Sequence, residues 1–304
     1  MISKTFYFNW EISLIKWLQT NLATIAVPFC KFFAIFGSEI VCVVAIMLVY
    51  LAYDKKIGRI VMLNTIIGMG FACAIKNIAL RRRPYFDNND VKCFVPVEKD
   101  ADIYDIAAQG YSFPSLHSFN IVCISGSIYK YIRKNIILII SIIMSLCVGI
   151  SRIISANHFP TDVLAGWAIG LISIYVISYL QAKCQKKKFY LVITILSLLC
   201  FFFCQSNDFY SSFGIMEGFF LADLYEEKHV KFENTKNIYR ALLRVVGALI
   251  TFASITEGIK LLVPKEFSLV IIDYIIRSLR YGLGTFITLG MYPKLFAKNI
   301  FKLK

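Results

Sequence analysis

Hydrophobic residues occur in long blocks along this chain, and short polar connections separate the blocks. Blocks of about 17 to 23 apolar residues have the length that a helix needs to cross roughly 30 Å of hydrocarbon. The pattern predicts eight or nine transmembrane helices, at Phe32–Tyr53, Ile60–Leu80, Ser115–Ile132, Ile136–Ile154, Thr161–Leu180, Phe189–Cys204, Phe209–Tyr225, Ala241–Val263 and Phe267–Tyr292. We therefore expect an all-α fold, a polytopic transmembrane helical bundle.

The first thirty or so residues follow a different pattern. Between Trp10 and Ile25 apolar residues recur near helical spacing, and polar residues such as Glu11 and Lys16 fall between them. This predicts an amphipathic helix in the membrane interface within residues 1–31, with an ordinary first core helix as the alternative. The stretch lacks the compact apolar core of a cleavable signal peptide, so we expect the spans themselves to direct the chain to the membrane.

The composition agrees with a membrane location. Hydrophobic residues make up 58% of the 304 positions and charged residues 17%, which does not suit a soluble globular protein. The net charge of +14 comes from short basic clusters between the spans, so nucleic acid is not an expected partner. The 9 cysteines lie singly, mostly inside apolar runs, and their spacing predicts neither a disulfide framework nor a metal site.

Basic residues also predict the orientation in the membrane. They cluster in the connections after the first, third and fifth predicted spans, at Lys55, Lys56, Arg59, Lys130, Arg133, Lys134, Lys183, Lys186, Lys187 and Lys188. By the positive-inside rule these connections are cytoplasmic. Arg81, Arg82 and Arg83 count against this orientation, but the acidic loop that follows them offsets that. The intervening connections should therefore face away from the cytoplasm.

Three short segments in those intervening connections carry the candidate chemistry. They read Lys76-Asn-Ile-Ala-Leu-Arg-Arg-Arg83-Pro84, then Pro114-Ser115-Leu116-His117, then Ser151-Arg152 followed by His158 and Asp162. Successive spans run antiparallel, so all three segments return to one membrane face. They can converge on a single pocket.

The residue types in these segments fit phosphate chemistry. Ser115 and His117 open an apolar run after a proline, at a helix N-terminus whose backbone N–H groups bind anions. The four-residue spacing of His158 and Asp162 lets the carboxylate approach the imidazole. Together with the cations Lys76, Arg83 and Arg152, this set suits phosphoryl transfer to a histidine nucleophile.

Taken singly, these residues have simpler interpretations. A lysine near a helix end, such as Lys76, commonly reaches the interface by snorkelling. Arg83 fits a solvated basic rim, and His158 fits an interfacial histidine with a capping aspartate nearby. The combination of all three segments favours the phosphate site.

The three segments resemble the signature of the type 2 phosphatidic acid phosphatase superfamily, the integral-membrane lipid phosphatases. The family pattern is Lys-x6-Arg-Pro, then Pro-Ser-Gly-His, then Ser-Arg-x5-His-x3-Asp, and this chain matches all three spacings in order. The likeness extends from about Phe32 to Leu180. Leu116 departs from it, because the family has glycine there. A leucine still donates its backbone N–H, but its side chain is expected to narrow the pocket.

The resemblance implies a role for each matched residue. His158 would attack phosphorus, Asp162 would orient the imidazole, and His117 would protonate the leaving oxygen. The phosphate would be bound by Lys76, Arg83, Ser115, Leu116 and Arg152. No metal ion and no other cofactor is implied. The implied function is metal-independent hydrolysis of a lipid phosphate or diphosphate, polyprenyl diphosphate or phosphatidate-like, through a phosphohistidine.

The resemblance also divides the chain. It implies an interfacial helix within 1–31, a catalytic transmembrane core at 32–188, and a C-terminal transmembrane extension at 189–304 whose first helix, 189–204, completes a six-helix core. Ionisable residues lie in or beside apolar stretches of the extension, at Glu217, Asp223, Glu257, Lys260, Asp273, Arg277 and Arg280. The simplest interpretation of these residues is structural ion pairing between helices. A lateral lipid entry, a dimer surface and a coupled transport path are the alternatives.

Two other functions remain open at this point. A phosphotransferase would pass the phosphoryl group from His158 to a lipid or sugar hydroxyl instead of water. A non-catalytic lipid transporter or scaffold on the same fold would account for Leu116. In each case the expected partner is a membrane lipid with a phosphate head group. The expected location is a bacterial inner membrane with the active site on its extracytoplasmic face, and the sequence does not indicate an oligomeric state.

Overall fold

The structure is a computed structural model that describes residues 6–263 and 270–297. Helices account for nearly all the regular structure in these ranges, and no strand occurs among them. The predicted all-α fold of a polytopic helical bundle is confirmed.

The N-terminal region contains three helices, α1 (Asn9–Asn21), α2 (Ala23–Gly37) and α3 (Glu39–Met47), the last continued by a π-helical turn, Leu48–Tyr53. The predicted continuous span Phe32–Tyr53 is therefore wrong. Ser38 has an extended backbone that separates α2 from α3. Gly37 packs directly against α6 (Leu116–Ile132), where an added Cβ atom would lie 2.8 Å from the Cβ of His117. Helix α2 thus ends where it contacts His117 of the second motif.

The three segments of the predicted phosphate site, called the three motifs below, lie at helix ends. The first spans the end of α4 (Lys55–Ala79), the second lies at the start of α6, and the third joins α7 (Asn135–Ile154) to α8 (Pro160–Lys183). A loop with the short helix α5 (Ile106–Gln109) joins α4 to α6, and Asp105 caps α5 by accepting the Ala107 N–H. Ser115 caps α6 by accepting the Ser118 N–H. Arg133 takes a left-handed backbone, which turns the chain from α6 into α7 within two residues. These caps and turns fix the helix ends that carry the motifs.

The described chain forms two compact units. The first combines residues up to Cys42 with Phe71–Tyr179, and the second combines Val43–Gly70 with the residues from Leu180 onward. Every residue that the sequence assigns to the phosphate site lies in the first unit. The division of the chain at residues 31 and 188 stays a prediction.

The second unit contains α9 (Lys186–Leu199), α10 (Asn207–Tyr225), α11 (Ile238–Leu262), α12 (Val270–Thr285) and the short α13 (Lys294–Ala297). Helices α10 and α12 approach closely because α10 carries glycines one turn apart. A Cβ atom on Gly214 would lie 2.2 Å from the Ser278 carbonyl oxygen, and one on Gly218 would lie 2.3 Å from that of Gly282. Such stripes of small residues are a common means of packing helices within a bilayer.

Fewer helices qualify as unbroken spans than the sequence predicts. Among the described residues four are long and apolar enough to cross a membrane, with a fifth if the bent pair α1 and α2 is one broken span. Helices α6 and α9 have 17 and 14 residues, so they rise only about 25 and 21 Å at 1.5 Å per residue. Residues 267–269 of the last predicted span lie outside the described residues. The chain is nevertheless a multi-pass membrane protein.

Candidate active site

The second and third motifs meet at the N-termini of α6 and α8. The Ser115 N–H donates to the Asp162 carbonyl oxygen at 3.0 Å. Gly166, on the second turn of α8, makes this approach possible, since a Cβ atom there would lie 2.4 Å from the Ser115 carbonyl oxygen. The absence of a side chain at Gly166 therefore sets the distance between the second motif, at Ser115, and the third motif, at Asp162.

The first motif is joined to the second through Ser112. Its N–H donates to the Arg81 carbonyl oxygen at 2.7 Å, and its hydroxyl is 3.0 Å from the Arg82 carbonyl oxygen. Leu80 and Ala156 take left-handed backbones, with φ of 46° and 57°. These two turns redirect the chain between Lys76 and Arg83 and between Arg152 and His158. Left-handed non-glycine residues are uncommon and cluster at functional sites.

His158 and Asp162 form the expected pair, with a long separation. The His158 Nδ1 lies 3.6 Å from the Asp162 Oδ2, beyond hydrogen-bonding distance. That oxygen accepts the Phe159 N–H at 2.7 Å, and the Asp162 Oδ1 accepts from the Arg81 Nη1 at 2.6 Å. Both residues are buried, at 4% and 0% exposure. Catalytic hydrogen bonds are often this long before a substrate binds.

Arg83 is held in one orientation by backbone carbonyl oxygens. Its Nε and Nη2 donate to the Gln109 carbonyl oxygen at 2.9 and 2.6 Å, and its Nη1 donates to that of Asn157 at 2.9 Å. Gln109 and Asn157 are site residues that the sequence analysis missed. No spacing rule identifies them, because they act through their main-chain oxygens.

Three cations surround the two imidazoles. Lys76, Arg83 and Arg152 are all buried, and each lies close enough to both His117 and His158 to interact electrostatically. Burial, followed by the charges of Arg83, Lys76 and Arg152, holds the pKa of His158 well below its usual range. The imidazole of His158 is therefore neutral at neutral pH, as a nucleophile must be.

Leu116 is the first residue of α6 and is largely buried. Its backbone is not left-handed, so the fold does not require glycine there. As the first two helical residues, Leu116 and His117 have N–H groups without partners inside the helix. The anion site expected at this helix N-terminus is thus compatible with leucine.

Arg81 and Glu11 are further residues that the sequence analysis did not place in the site. Glu11 had been assigned to the polar side of an interfacial helix, yet it is fully buried. Its carboxylate pairs with the Arg81 guanidinium at 2.9 Å. The sequence shows that Arg81 is charged and follows Lys76 by five positions. It does not show that Arg81 pairs with Glu11, which lies 70 residues away along the chain.

No cluster of three or more His, Cys, Asp or Glu side chains within residues 6–263 and 270–297 is arranged to hold a metal ion.

Comparisons with known proteins give two family models and a relative that match parts of this chain. A family model described as the PAP2 superfamily matches residues 56–186, and one described as the PAP2 superfamily phosphatase, transmembrane extension, matches residues 210–303. Phosphatidylglycerophosphatase B from Bacillus subtilis (strain 168) is 32% identical over 85 residues, which cover 25% of this chain and 42% of that relative. The match thus spans less than half of the relative's length. No solved structure matches significantly.

Proposed function

Because this chain belongs to the PAP2 superfamily, a family that includes membrane phosphatases, we propose that it hydrolyses the phosphate of a membrane lipid through a phosphohistidine on His158. The membership agrees with the resemblance drawn from the three motifs. The observation that carries the proposal is the buried, neutral imidazole of His158 among three cations, beside the N-terminus of α6.

In the first step the Nε2 lone pair of His158 attacks phosphorus in line with the bond to the leaving oxygen. The P–N bond forms, the P–O bond breaks, and His117, protonated once the charge of the bound phosphate offsets the three cations, gives its proton to the leaving oxygen. Lys76, Arg83, Arg152, Ser115 and the N–H groups at the start of α6 balance the charge on the equatorial oxygens. The Asp162 carboxylate stabilises the positive charge that develops on His158.

In the second step His117, now neutral, takes a proton from a water molecule. The resulting hydroxide attacks phosphorus, the P–N bond breaks, and inorganic phosphate leaves. His158 is again neutral and His117 again carries its proton, so the site is ready for another turnover. Neither step assigns a role to a metal ion.

The substrate is proposed by class. A lipid tail and a phosphate or diphosphate head suit a site at the ends of membrane helices, which includes polyprenyl diphosphate and phosphatidate-like lipids. The Bacillus relative is named as a phosphatidylglycerophosphatase, which adds phosphatidylglycerophosphate to the candidates. The basic connections support an active site on the extracytoplasmic face.

The test is phosphate release by the purified protein in detergent, with EDTA present, from each of these lipids. His158→Ala is the inactive variant, and His229→Ala, outside the three motifs, is the matched control. Release that survives EDTA, disappears in His158→Ala and persists in His229→Ala would support the proposal. Unchanged release in His158→Ala would overturn it. A phosphorylated acceptor in place of free phosphate would identify a phosphotransferase instead.

A further inference from the structure

Arg81 is buried behind the candidate active site and contacts two acidic residues at once. Its Nη1 donates to the Asp162 Oδ1 at 2.6 Å, and its Nη2 donates to the Glu11 Oε2 at 2.9 Å. Its Nε donates to the Phe6 carbonyl oxygen at 2.8 Å. The side chain of Arg81 is 1% exposed, and those of both acids are fully buried. The guanidinium therefore links the N-terminal helix to the residue that faces His158.

Glu11 also binds the helix that carries Asp162. Its Oε1 accepts the N–H of Thr161 at 3.0 Å and the hydroxyl of Thr161 at 2.7 Å. Thr161 lies in the first turn of α8, so a carboxylate from α1 satisfies a donor at the N-terminus of α8. Glu11 of α1 therefore positions Asp162 by two routes. One runs through Thr161 at the start of α8, and the other runs through Arg81.

Two aromatic rings lie against the guanidinium. The centroid of the Phe159 ring lies 4.0 Å from the Arg81 Cζ and that of the Phe6 ring lies 4.9 Å from it. Such cation–π contacts favour the delocalised guanidinium of arginine over the ammonium of lysine. The rings and the two carboxylates together hold Arg81 in one position.

The charge balance of this group has a chemical consequence. A buried carboxylate tends to take up a proton unless a cation stabilises its charge. Arg81 supplies that cation to Asp162, while Glu11 shares it. With both carboxylates ionised, the three side chains would carry one net negative charge beside the His158 imidazole.

We propose that Glu11 and Arg81 are positioning residues of the reaction: Arg81 keeps Asp162 ionised, and Glu11 holds Arg81 and Thr161 in place, so that Asp162 stays oriented to stabilise the positive charge on His158 as the phosphohistidine forms. This inference rests on the proposed function. It makes α1 part of the active site and not only an interfacial helix. Neither residue belongs to the three motifs.

The experiment compares Glu11→Gln, Arg81→Met, Arg81→Lys and the double variant Glu11→Gln/Arg81→Met with the wild type and His158→Ala. Arg82→Met is the matched control, because its guanidinium pairs with Asp87 at 3.1 Å in a partly exposed position. Each variant is assayed for kcat and KM in detergent, and its thermal unfolding is measured alongside. Glu11→Gln keeps the size of the side chain, so it decides the question should Arg81→Met fold poorly.

We expect kcat to fall about tenfold or more in Arg81→Met and less in Glu11→Gln, with KM nearly unchanged, since neither side chain is proposed to touch phosphate. Arg81→Lys should recover part of the loss, because an ammonium keeps the charge but cannot span both carboxylates. The double variant should be slower than Arg81→Met by less than the loss that Glu11→Gln causes alone, because Glu11 acts partly through Arg81 and partly through Thr161.

The inference would be overturned if Arg81→Met and Glu11→Gln both had the kcat of Arg82→Met. Fully additive losses of kcat in the double variant would also overturn it. A rise in KM at constant kcat would do so too, because it would place these residues in substrate binding. Activity in His158→Ala would overturn the proposed function and this inference together. An inactive His158→Ala beside unchanged Arg81 and Glu11 variants would overturn this inference alone.

Discussion

His158 lies among three cations, and their charges act in the same direction as burial on its imidazole. Both effects disfavour protonation, which holds the pKa of His158 well below its usual range of about 6.5. The sequence predicted a histidine and aspartate four residues apart, but not this depression. It depends first on how deeply His158 is buried, and then on the charges of Arg83, Lys76 and Arg152, and the sequence does not give the depth of burial.

The depressed pKa of His158 predicts the acid side of the pH profile. Attack requires the neutral imidazole, so kcat/KM should not fall between about pH 7 and pH 6 once the titration of the substrate phosphate is subtracted. An unperturbed histidine would lose activity across that interval. The measurement is kcat/KM against pH in detergent. A tenfold fall per pH unit beginning near pH 7 would contradict the account of His158.

Leu116 is the position where the sequence departs from the family pattern, and the structure explains why that departure is tolerated. Its backbone is not left-handed, so leucine takes this position without strain. The sequence could not decide this, because a glycine in a motif is required either for its backbone angles or for the space it leaves.

Leu116→Gly should therefore keep the wild-type kcat on a small lipid phosphate, because the backbone N–H remains in place. The shorter side chain should lower KM for bulkier head groups, because the site loses a largely buried isobutyl group. Steady-state kinetics on two head groups of different size would measure this. A collapse of kcat on both substrates, in protein that unfolds normally, would show that the leucine side chain itself supports the site.

At the scale of elements, the site depends on how closely α8 approaches the start of α6. The sequence predicted both helices from their apolar runs and placed their ends within a few residues. It did not predict that Gly166 is the point of contact, because the contact is with the carbonyl oxygen of Ser115 and leaves no pattern in the residues.

Gly166→Ala should push the two helices apart, because the new Cβ atom would lie 2.4 Å from the backbone oxygen of Ser115. We expect kcat to fall at least several-fold, together with a destabilisation of about 1 to 3 kcal/mol typical of overpacking. Gly258→Ala is the control, since nothing lies within 4 Å of an added Cβ there. Equal activity in the two variants would show that the approach of α8 to α6 does not set the site geometry.

The N-terminal region shows where element prediction fails. An apolar run predicted one helix over Phe32–Tyr53, yet the chain breaks at Ser38. Likewise the helical spacing between Trp10 and Ile25 predicted an amphipathic helix but not the partner of its polar side. The Glu11 carboxylate binds Arg81 and Thr161, which are both distant in sequence. Helical periodicity therefore could not tell whether the polar side of this helix is exposed to solvent or buried against charged partners.

At the scale of the whole molecule, the ionisable residues of the C-terminal extension include a buried network within the second unit. Asp223 is fully buried and pairs with Arg59 at 2.5 Å and Lys186 at 2.8 Å, while the Tyr190 hydroxyl donates to it at 2.8 Å. Of the interpretations left open by the sequence, structural ion pairing describes Asp223 best. Its partners Arg59 and Lys186 belong to the basic clusters that predicted the membrane orientation.

Asp223→Asn should destabilise the protein by about 1 to 3 kcal/mol, because Arg59 and Lys186 lose a buried counter-charge while both stay partly exposed to solvent. The specific activity of the protein that remains folded should be unchanged, since the network is distinct from the phosphate site. Thermal unfolding in detergent and activity per folded molecule are the two measurements. Normal unfolding with lost activity would indicate a functional role for the network.

A phosphoryl group that passes through His158 can be trapped on that residue, which separates the proposed phosphohistidine from direct attack by water. The wild-type enzyme is mixed with a lipid phosphate and quenched in alkali within one turnover, and its peptides are analysed by mass spectrometry. We expect a phosphorylated peptide that carries the modification on His158 and is absent from His158→Ala. Phosphate release without any phosphorylated His158, or with the group on another residue, would rule out a phosphohistidine on His158.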